Sequence, residues 1–207
     1  MKRLFTFLSL MVCVLMAQAQ VIPTMVEHSM AEDYVILLQK QGYQSYSVDI
    51  SALQDETYII KPVIKHYKKG KEVENPFNFE MSLSSRDELT VGDKIKVGFM
   101  PGNMPSVRTL SFCVTETSAM IMPLMFDERK DPNTGDVEDS YGYRPFAIEG
   151  IELGKFIPLA LCGAYWYDKE GGFFRFCGED SISPSMTEDI LKDIEEYYVV
   201  GMIVRKQ

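Results

Sequence analysis

The sequence predicts a mainly β protein, a single antiparallel β-sandwich with one helix near each end of the chain. Apolar and polar residues alternate in four segments between residues 45 and 115, a pattern typical of antiparallel sheets with one solvated face. Turn-forming sequences such as KKGK, TVGD and DPNTGD separate the segments. Capped helical patterns stand near both ends, so an α+β class stays open as the second interpretation.

The first 19 residues have the three parts of a secretory signal peptide. Lys2 and Arg3 form the basic start, residues 4–16 the apolar part, and Ala-Gln-Ala at residues 17–19 the cleavage site. The apolar run is shorter than the about 20 residues that cross a bilayer. We therefore expect an exported protein, periplasmic or extracellular, with no membrane span and no lipid anchor. Residues 20–207 are predicted to form a single β-rich domain.

A helix comes next along the chain, because Ser29 and Glu32 form a capping box and Gly42 is a stop signal. The strands follow, each with apolar side chains at every second position. These apolar residues are, segment by segment, Tyr46, Val48 and Ile50; Phe77, Phe79, Met81 and Leu83; Ile95, Val97 and Phe99; and Leu110, Phe112 and Val114.

Residues 162–177, CGAYWYDKEGGFFRFC, form an aromatic hairpin pattern that contains the chain's single tryptophan. A turn through Asp168 to Gly171 would place Cys162 opposite Cys177. Opposed residues of an antiparallel pair lie close to disulfide distance, and an exported protein meets oxidising conditions. A disulfide between Cys162 and Cys177 is therefore predicted, with free thiols as the alternative because registers slip easily.

The same register sorts the side chains of this region onto two faces. Bulky residues predicted to be core share one face: Ile157, Leu159, Leu161, Tyr165 and Tyr167. Small residues share the other face, over which the late helix would pack: Ala160, Cys162 and Ala164.

Trp166, Phe173 and Arg175 lie on the second face and are the candidate ligand-binding residues. The two aromatic rings would stack on a sugar while Arg175 holds a carboxylate or hydroxyl group. In the alternative, structural interpretation the three residues close the edge of the core, with Arg175 over the Trp166 ring as a cation–π contact.

A second helix is predicted from Ser185 and Glu188, which form a capping box, followed by apolar residues at 186, 190, 194 and 197. The sequence YYVVGMIV then reads as a closing strand. A late helix followed by one more strand also fits a lipocalin-like β-barrel, which is the alternative architecture.

Several function classes find no support in the sequence. The formal charge of −9 opposes nucleic-acid binding, which depends on Lys and Arg contacts to phosphates. The two histidines, His28 and His66, are far apart, and no metal-ligand or cofactor motif accompanies them. There is no G-x-S-x-G nucleophile motif, and acidic pairs such as Glu149 with Glu152 are explained by a solvated surface.

Three functional hypotheses remain. The first is a non-catalytic secreted or periplasmic binding module that engages a glycan or another envelope protein. The second is a β-barrel that encloses a small apolar ligand. The third is a hydrolase with paired carboxylates, which would need two acids about 5–10 Å apart in a cleft. The sequence favours the first and leaves the oligomeric state open.

Overall fold

The computed structural model describes residues 30–53, 58–75, 83–84, 94–114 and 119–206. The chain divides into two units, residues 1–36 and 37–207. In the first unit the described residues, 30–36, begin helix α1 (Met30–Lys40), and Tyr34 is exposed there. Neither described helix has the length and apolar composition that a membrane crossing requires.

The second unit contains every described strand. They are β1 (Gln44–Asp49), β2 (Tyr58–Lys68), β3 (Lys71–Val73), β4 (Leu83–Ser84), β5 (Lys94–Pro101), β6 (Val107–Cys113), β7 (Ala119–Met125), β8 (Arg129–Lys130), β9 (Val137–Glu138), β10 (Tyr141–Pro145), β11 (Phe156–Ala164), β12 (Trp166–Asp168), β13 (Phe173–Arg175) and β14 (Glu196–Lys206). A 3-10 turn (Ser51–Leu53) and helix α2 (Ile190–Asp193) complete the elements.

The strands form two main antiparallel sheets. Sheet A has the order β1-β5-β6-β7, and sheet B has the order β10-β11-β14-β2-β3, with β4 paired to β2. Strands β8 with β9, and β12 with β13, form separate two-stranded ribbons. The sheets do not close into a barrel, so the predicted antiparallel β-sandwich is confirmed and the lipocalin-like alternative is wrong.

A hydrophobic core fills the space between the two sheets. Sheet A contributes Phe99 and Phe112, and sheet B contributes Val200 and Met202, all four with no exposed surface. Each such side chain stabilises the fold by about 1.5–3 kcal/mol on burial. The alternation predicted for β1, β5 and β6 matches this inward-facing set. The predicted strand at 77–83 lies outside the described residues except for Leu83.

A β-bulge overturns the predicted faces of β11. The pairing of β11 with β14 shifts between Pro158 and Ala160, so Leu159 and Ala160 both join the core between the sheets. Beyond the bulge, even-numbered and odd-numbered residues exchange faces. Cys162 faces the core between the sheets, and Leu161 faces outward. An extra residue moves all later side chains to the opposite face, which a strict two-residue period cannot predict.

A second hydrophobic cluster covers the outer face of sheet B. Leu161 and Val199 of the sheet pack there against Ile182, Ile190 and Ile194. The sheet is therefore buried on both faces at β11 and β14, whose residues are almost all buried.

The helices confirm the prediction of one near each end, but the second is shorter than expected. Met186 has φ of +55°, a left-handed conformation that a helix interior excludes. The carboxylate of Glu188 accepts the N–H of Ser183 instead of capping a helix at Ser185. Helix α1 ends as predicted, with Gly42 at φ of +84°, while Ser29 of its predicted capping box lies outside the described residues.

Candidate functional site

The aromatic hairpin forms, but its register differs from the predicted one. Trp166 pairs with Arg175, and Asp168 pairs with Phe173, a shift of two residues. The Asp168 carboxylate fixes the turn by accepting the N–H groups of Glu170 and Gly171 at 3.0 and 3.1 Å. Because the shift is even, the predicted face is kept, and the three candidate residues do lie on one face of the ribbon.

The predicted disulfide between Cys162 and Cys177 is not formed. Cys162 lies in the middle of sheet B, between Tyr143 on β10 and Tyr198 on β14. Cys177 lies beyond the end of the ribbon and is exposed, and both thiols are free. The two cysteines are apart because β11 ends at Ala164 and the hairpin continues as a separate ribbon. Burial raises the pKa of the Cys162 thiol.

Arg175 already has a carboxylate partner in this ribbon. Its Nη1 lies 2.8 Å from Oδ2 of Asp168, and its guanidinium carbon lies 5.7 Å from the centroid of the Trp166 ring. Trp166 is half-buried against the outer cluster, whereas Phe173 is 53% exposed and stands apart, opposite Asp168. The contact expected from the structural interpretation is thus present. Ligand binding by Trp166, Phe173 and Arg175 stays a prediction.

A pocket of about 590 Å³ lies beside β10, which is an edge strand of sheet B. Its lining also includes the segment that joins α1 to β1, the edge strand of sheet A, and Tyr165. Four tyrosines and three glutamines give the pocket its character: Tyr43, Tyr141, Tyr143, Tyr165, Gln39, Gln41 and Gln44. We call it the β10 pocket.

The main chain of β10 offers hydrogen-bonding groups to this pocket. The N–H of Phe146 donates to the carbonyl of Leu159 at 3.0 Å. Even-numbered residues of β10 therefore turn their main chain toward β11. Odd-numbered Tyr141 and Tyr143 turn theirs toward the open edge.

Arg108 reaches the β10 pocket from the opposite sheet. It shares the inward face of β6 with Leu110 and is only 4% exposed. Its guanidinium group donates to the main-chain carbonyls of Val107, at 2.7 Å, and Asp139, and lies 3.9 Å from the centroid of the Tyr141 ring. Arg108 thus connects sheet A to the edge of sheet B without an acidic side chain among the described residues as its partner.

Arg144 stands at the other end of the same edge. Its Nη1 donates to the carbonyl of Tyr143 at 2.9 Å, and its Nε donates to the carbonyl of Glu179 at 2.8 Å. The guanidinium group also lies 4.8 Å from the centroid of the Phe176 ring, on which Tyr165 stacks at 5.4 Å. This arrangement holds Arg144 and Tyr165 in place on the pocket wall.

Phe176 can occupy this position because two neighbouring strand residues lack side chains. A Cβ atom on Gly142 would overlap the Phe176 ring, and one on Gly163 would lie 3.1 Å from it. The ring therefore lies flat on sheet B, where it supports Arg144 and Tyr165.

Tyr46, Tyr141 and Tyr143 are neutral hydrogen-bonding groups at physiological pH. Burial raises the pKa of Tyr141 and of Tyr143, an effect that the nearby Arg108 only partly offsets. Burial also raises the pKa of Tyr46, next to the pocket on β1, to about 12. Each phenol can therefore donate as well as accept.

The β10 pocket was not predicted from the sequence, although two signals for it were present. Arg108, Leu110 and Phe112 stand at every second position of one strand, so the pattern predicts that Arg108 points into the core with the other two. The sequence YGYRPF alternates large aromatic residues with Gly142 and Arg144. That β10 and the segment before β1 line one pocket has no local signal, because the two are about 100 residues apart in the chain.

The described residues contain no group of three His, Cys, Asp or Glu side chains placed to hold a metal ion. Comparison with known protein families gives one match, to a family described as a domain of unknown function (DUF5041), over residues 13–206. Searches of curated proteins and of solved structures found no match.

Proposed function

The chain belongs to the DUF5041 family, a domain of unknown function, and on that premise we propose that it is an exported, non-catalytic module that binds a glycan in the β10 pocket. The proposal keeps the first of the three hypotheses from the sequence and moves its site from the hairpin to the edge of the sandwich. The observation that carries it is the combination of four tyrosines and three glutamines around one polar pocket.

The composition of the pocket suits a sugar ring. Tyr43 and Tyr165, which are partly exposed, each present an apolar ring and a polar hydroxyl group together, which matches the C–H faces and hydroxyl groups of a sugar. Glutamine side chains, the outward main chain of Tyr141 and the outward N–H of Tyr143 add both donors and acceptors. Gln44, Tyr141 and Tyr143 lie on strands of the two sheets, which preorganise their main-chain groups.

The acidic residues support binding without catalysis. Glycoside hydrolysis commonly uses two carboxylates across the scissile bond. Among the described residues that line the pocket, Asp139 alone has a carboxylate side chain. Glu196 and Asp127 do approach each other elsewhere, but Glu196 is buried and engaged with His66 and Lys68.

Binding of residues 20–207 to a glycan array, followed by calorimetry on each hit, tests the proposal. Tyr165→Ala is expected to weaken binding by about tenfold or more, because the loss of one stacking or hydrogen-bonding group lowers affinity by about that factor. Tyr34→Ala, an exposed aromatic truncation outside the pocket, serves as the matched control and should leave affinity unchanged.

Two results would overturn the proposal in different ways. If Phe173→Ala abolishes binding while Tyr165→Ala does not, the site is the hairpin face that the sequence indicated. If no glycan binds to the wild type, the proposed function is wrong. Export is tested separately, by cell fractionation and by N-terminal sequencing, which should find a chain that begins at residue 20.

A further inference from the structure

We infer that the ligand of the β10 pocket is an acidic oligosaccharide, a chain of sugar acids whose carboxylates bind Arg108 and Arg144. This inference rests on the proposed function and adds to it the chemical class of the ligand and its minimum length. It starts from the pairing of charges within the described residues.

The two arginines of the pocket lack the acidic partners that Lys68 and Arg175 have. Lys68 lies 2.6 Å from Asp127, and Arg175 lies 2.8 Å from Asp168. In the described part of the chain, no Asp or Glu side chain forms an ion pair with Arg108 or Arg144. In a chain of net charge −9, the described lining of this pocket has three cations, Lys40, Arg108 and Arg144, against the carboxylate of Asp139.

Arg108 is buried without an acidic partner among the described residues, which indicates that an external anion binds there. Buried charged groups are normally paired, because removing an unpaired charge from water is costly. Arg108 is only 4% exposed, yet the partners of its guanidinium group are two main-chain carbonyls and the face of Tyr141. A carboxylate in the pocket would supply the missing counter-charge.

Both arginines keep N–H groups for such a ligand. A guanidinium group has five N–H donors in a planar fork. Arg108 donates to two carbonyls, and Arg144 also donates to two. The remaining donors allow charge-assisted bonds to a carboxylate, which are stronger than bonds between neutral groups. Lys40, also in the lining, adds a third cation.

The spacing of the two arginines sets the length of the ligand. They bind the carbonyls of Asp139 and Tyr143, which are four residues apart on the same edge. At about 3.3 Å per strand residue, these carbonyls are about 13 Å apart. One carboxylate cannot span that distance, so the ligand carries at least two carboxylates along the direction of β10. The main chain of Tyr141 and Tyr143 lies between the two charged positions, while their rings pack in the core against Phe126 and Phe99.

The test compares an acidic oligosaccharide with its neutral counterpart. Tetragalacturonate and its fully methyl-esterified form share the same rings and hydroxyl groups but differ in charge. Calorimetry is expected to show at least tenfold tighter binding of the acid form, together with a loss of affinity at high salt. A glycan array with uronate, sialylated, sulfated and neutral members extends the comparison to other sugars.

Variants separate the inference from the proposed function. Arg144→Gln should lower the affinity for acidic members about tenfold and leave any weak neutral binding unchanged. Arg205→Gln, which removes an exposed arginine at the end of β14, is the matched control. Arg108→Gln is informative only if its unfolding transition matches that of the wild type, so Arg144→Gln carries the test.

Each binding result supports or overturns the inference. Acid-selective binding that depends on Arg144 supports the inference. Equal binding of acidic and neutral sugars, with dependence on Tyr165, overturns the inference and leaves the proposed function standing. Selectivity for sulfated sugars over all carboxylates also overturns it. Absence of binding to every member of the array overturns both.

Discussion

His66 and Glu196 form a buried pair in which Nε2 of the imidazole lies 2.8 Å from Oε1 of the carboxylate, although 130 residues separate them in the chain. The His66 ring stacks on Tyr198 at 4.1 Å. The second carboxylate oxygen accepts the N–H of Asp127 at 2.8 Å. Since Asp127 follows the last strand of sheet A and Glu196 begins β14 of sheet B, the pair connects the two sheets at one end.

Removal of the Glu196 carboxylate is expected to be strongly destabilising. Glu196→Ala would leave His66 and the N–H of Asp127 without their acceptor, and the loss of one partner of a buried pair costs about 3–5 kcal/mol. Glu196→Gln keeps one acceptor oxygen and should cost less. Urea denaturation of both variants measures these differences.

The neighbouring Glu195→Ala is the matched control, because Glu195 is exposed. Its free energy of unfolding should stay within about 0.5 kcal/mol of the wild type. Equal losses for Glu195→Ala and Glu196→Ala would show that the buried pair does not stabilise the connection.

Gly201 allows β14 to pack closely against β11. A Cβ atom at this position would overlap the carbonyl oxygen of Ile157 and the Phe156 ring. Gly201→Ala is therefore expected to lower the melting temperature and to cost about 3 kcal/mol. Gly150→Ala, where a Cβ meets no atom within 4 Å, should be nearly neutral. Similar melting temperatures for the two variants would contradict this packing.

The three cysteines of the second unit should differ in reactivity. Cys177 is exposed and should react first with a thiol reagent such as Ellman's reagent. Cys162 is fully buried, and burial raises the pKa of its thiol, so it should react only after unfolding. Cys113 is partly exposed with a pKa raised by burial and should be intermediate. Rapid reaction of Cys162 in the native protein would contradict the pairing of β11 with β14.

Asp168 should contribute stability that depends on pH. The N–H of Gly171, joined by that of Glu170 and by the charge of Arg175, lowers the pKa of its carboxyl group. Because the folded-state pKa is depressed, the contribution is present above the unfolded value of about 3.9 and is lost as the pH falls through the folded-state pKa. Asp168→Asn should therefore be less stable than the wild type at pH 7, with the difference shrinking toward pH 2.

Thermal denaturation of the wild type and of Asp168→Asn between pH 7 and pH 2 measures this difference in stability. The melting temperatures should converge at the acid end, where Asp168 is protonated. A difference that stays constant with pH would mean that the turn depends on the shape of the side chain and not on its charge.

The parts of the fold that follow from short-range periodicity were predictable. The alternation of Ile95 and Val97, and of Leu110 and Phe112, depends on which side of a strand faces the core, and this repeats every two residues. The stop signal at Gly42 depends on a local backbone conformation. Such features need no knowledge of the strand that lies alongside.

The parts that were missed depend on long-range pairing. The bulge at Pro158 arises between β11 and β14, whose paired residues Phe156 and Ile203 are far apart in the chain. The left-handed Met186 interrupts a pattern that is otherwise helical. The β10 pocket, like the pair of His66 and Glu196, combines residues that no local pattern connects.

The two arginines at the edge of β10 have a consequence for solubility. Exposed edge strands offer unpaired main-chain groups and can recruit strands from other copies, which leads to aggregation. Arg108 and Arg144 occupy the outward carbonyls of Asp139 and Tyr143 and place positive charges there. Two copies would meet at this edge with like charges and with these acceptors already used. A chain that lost both arginines would therefore be expected to form intermolecular sheets, even where its own fold survived.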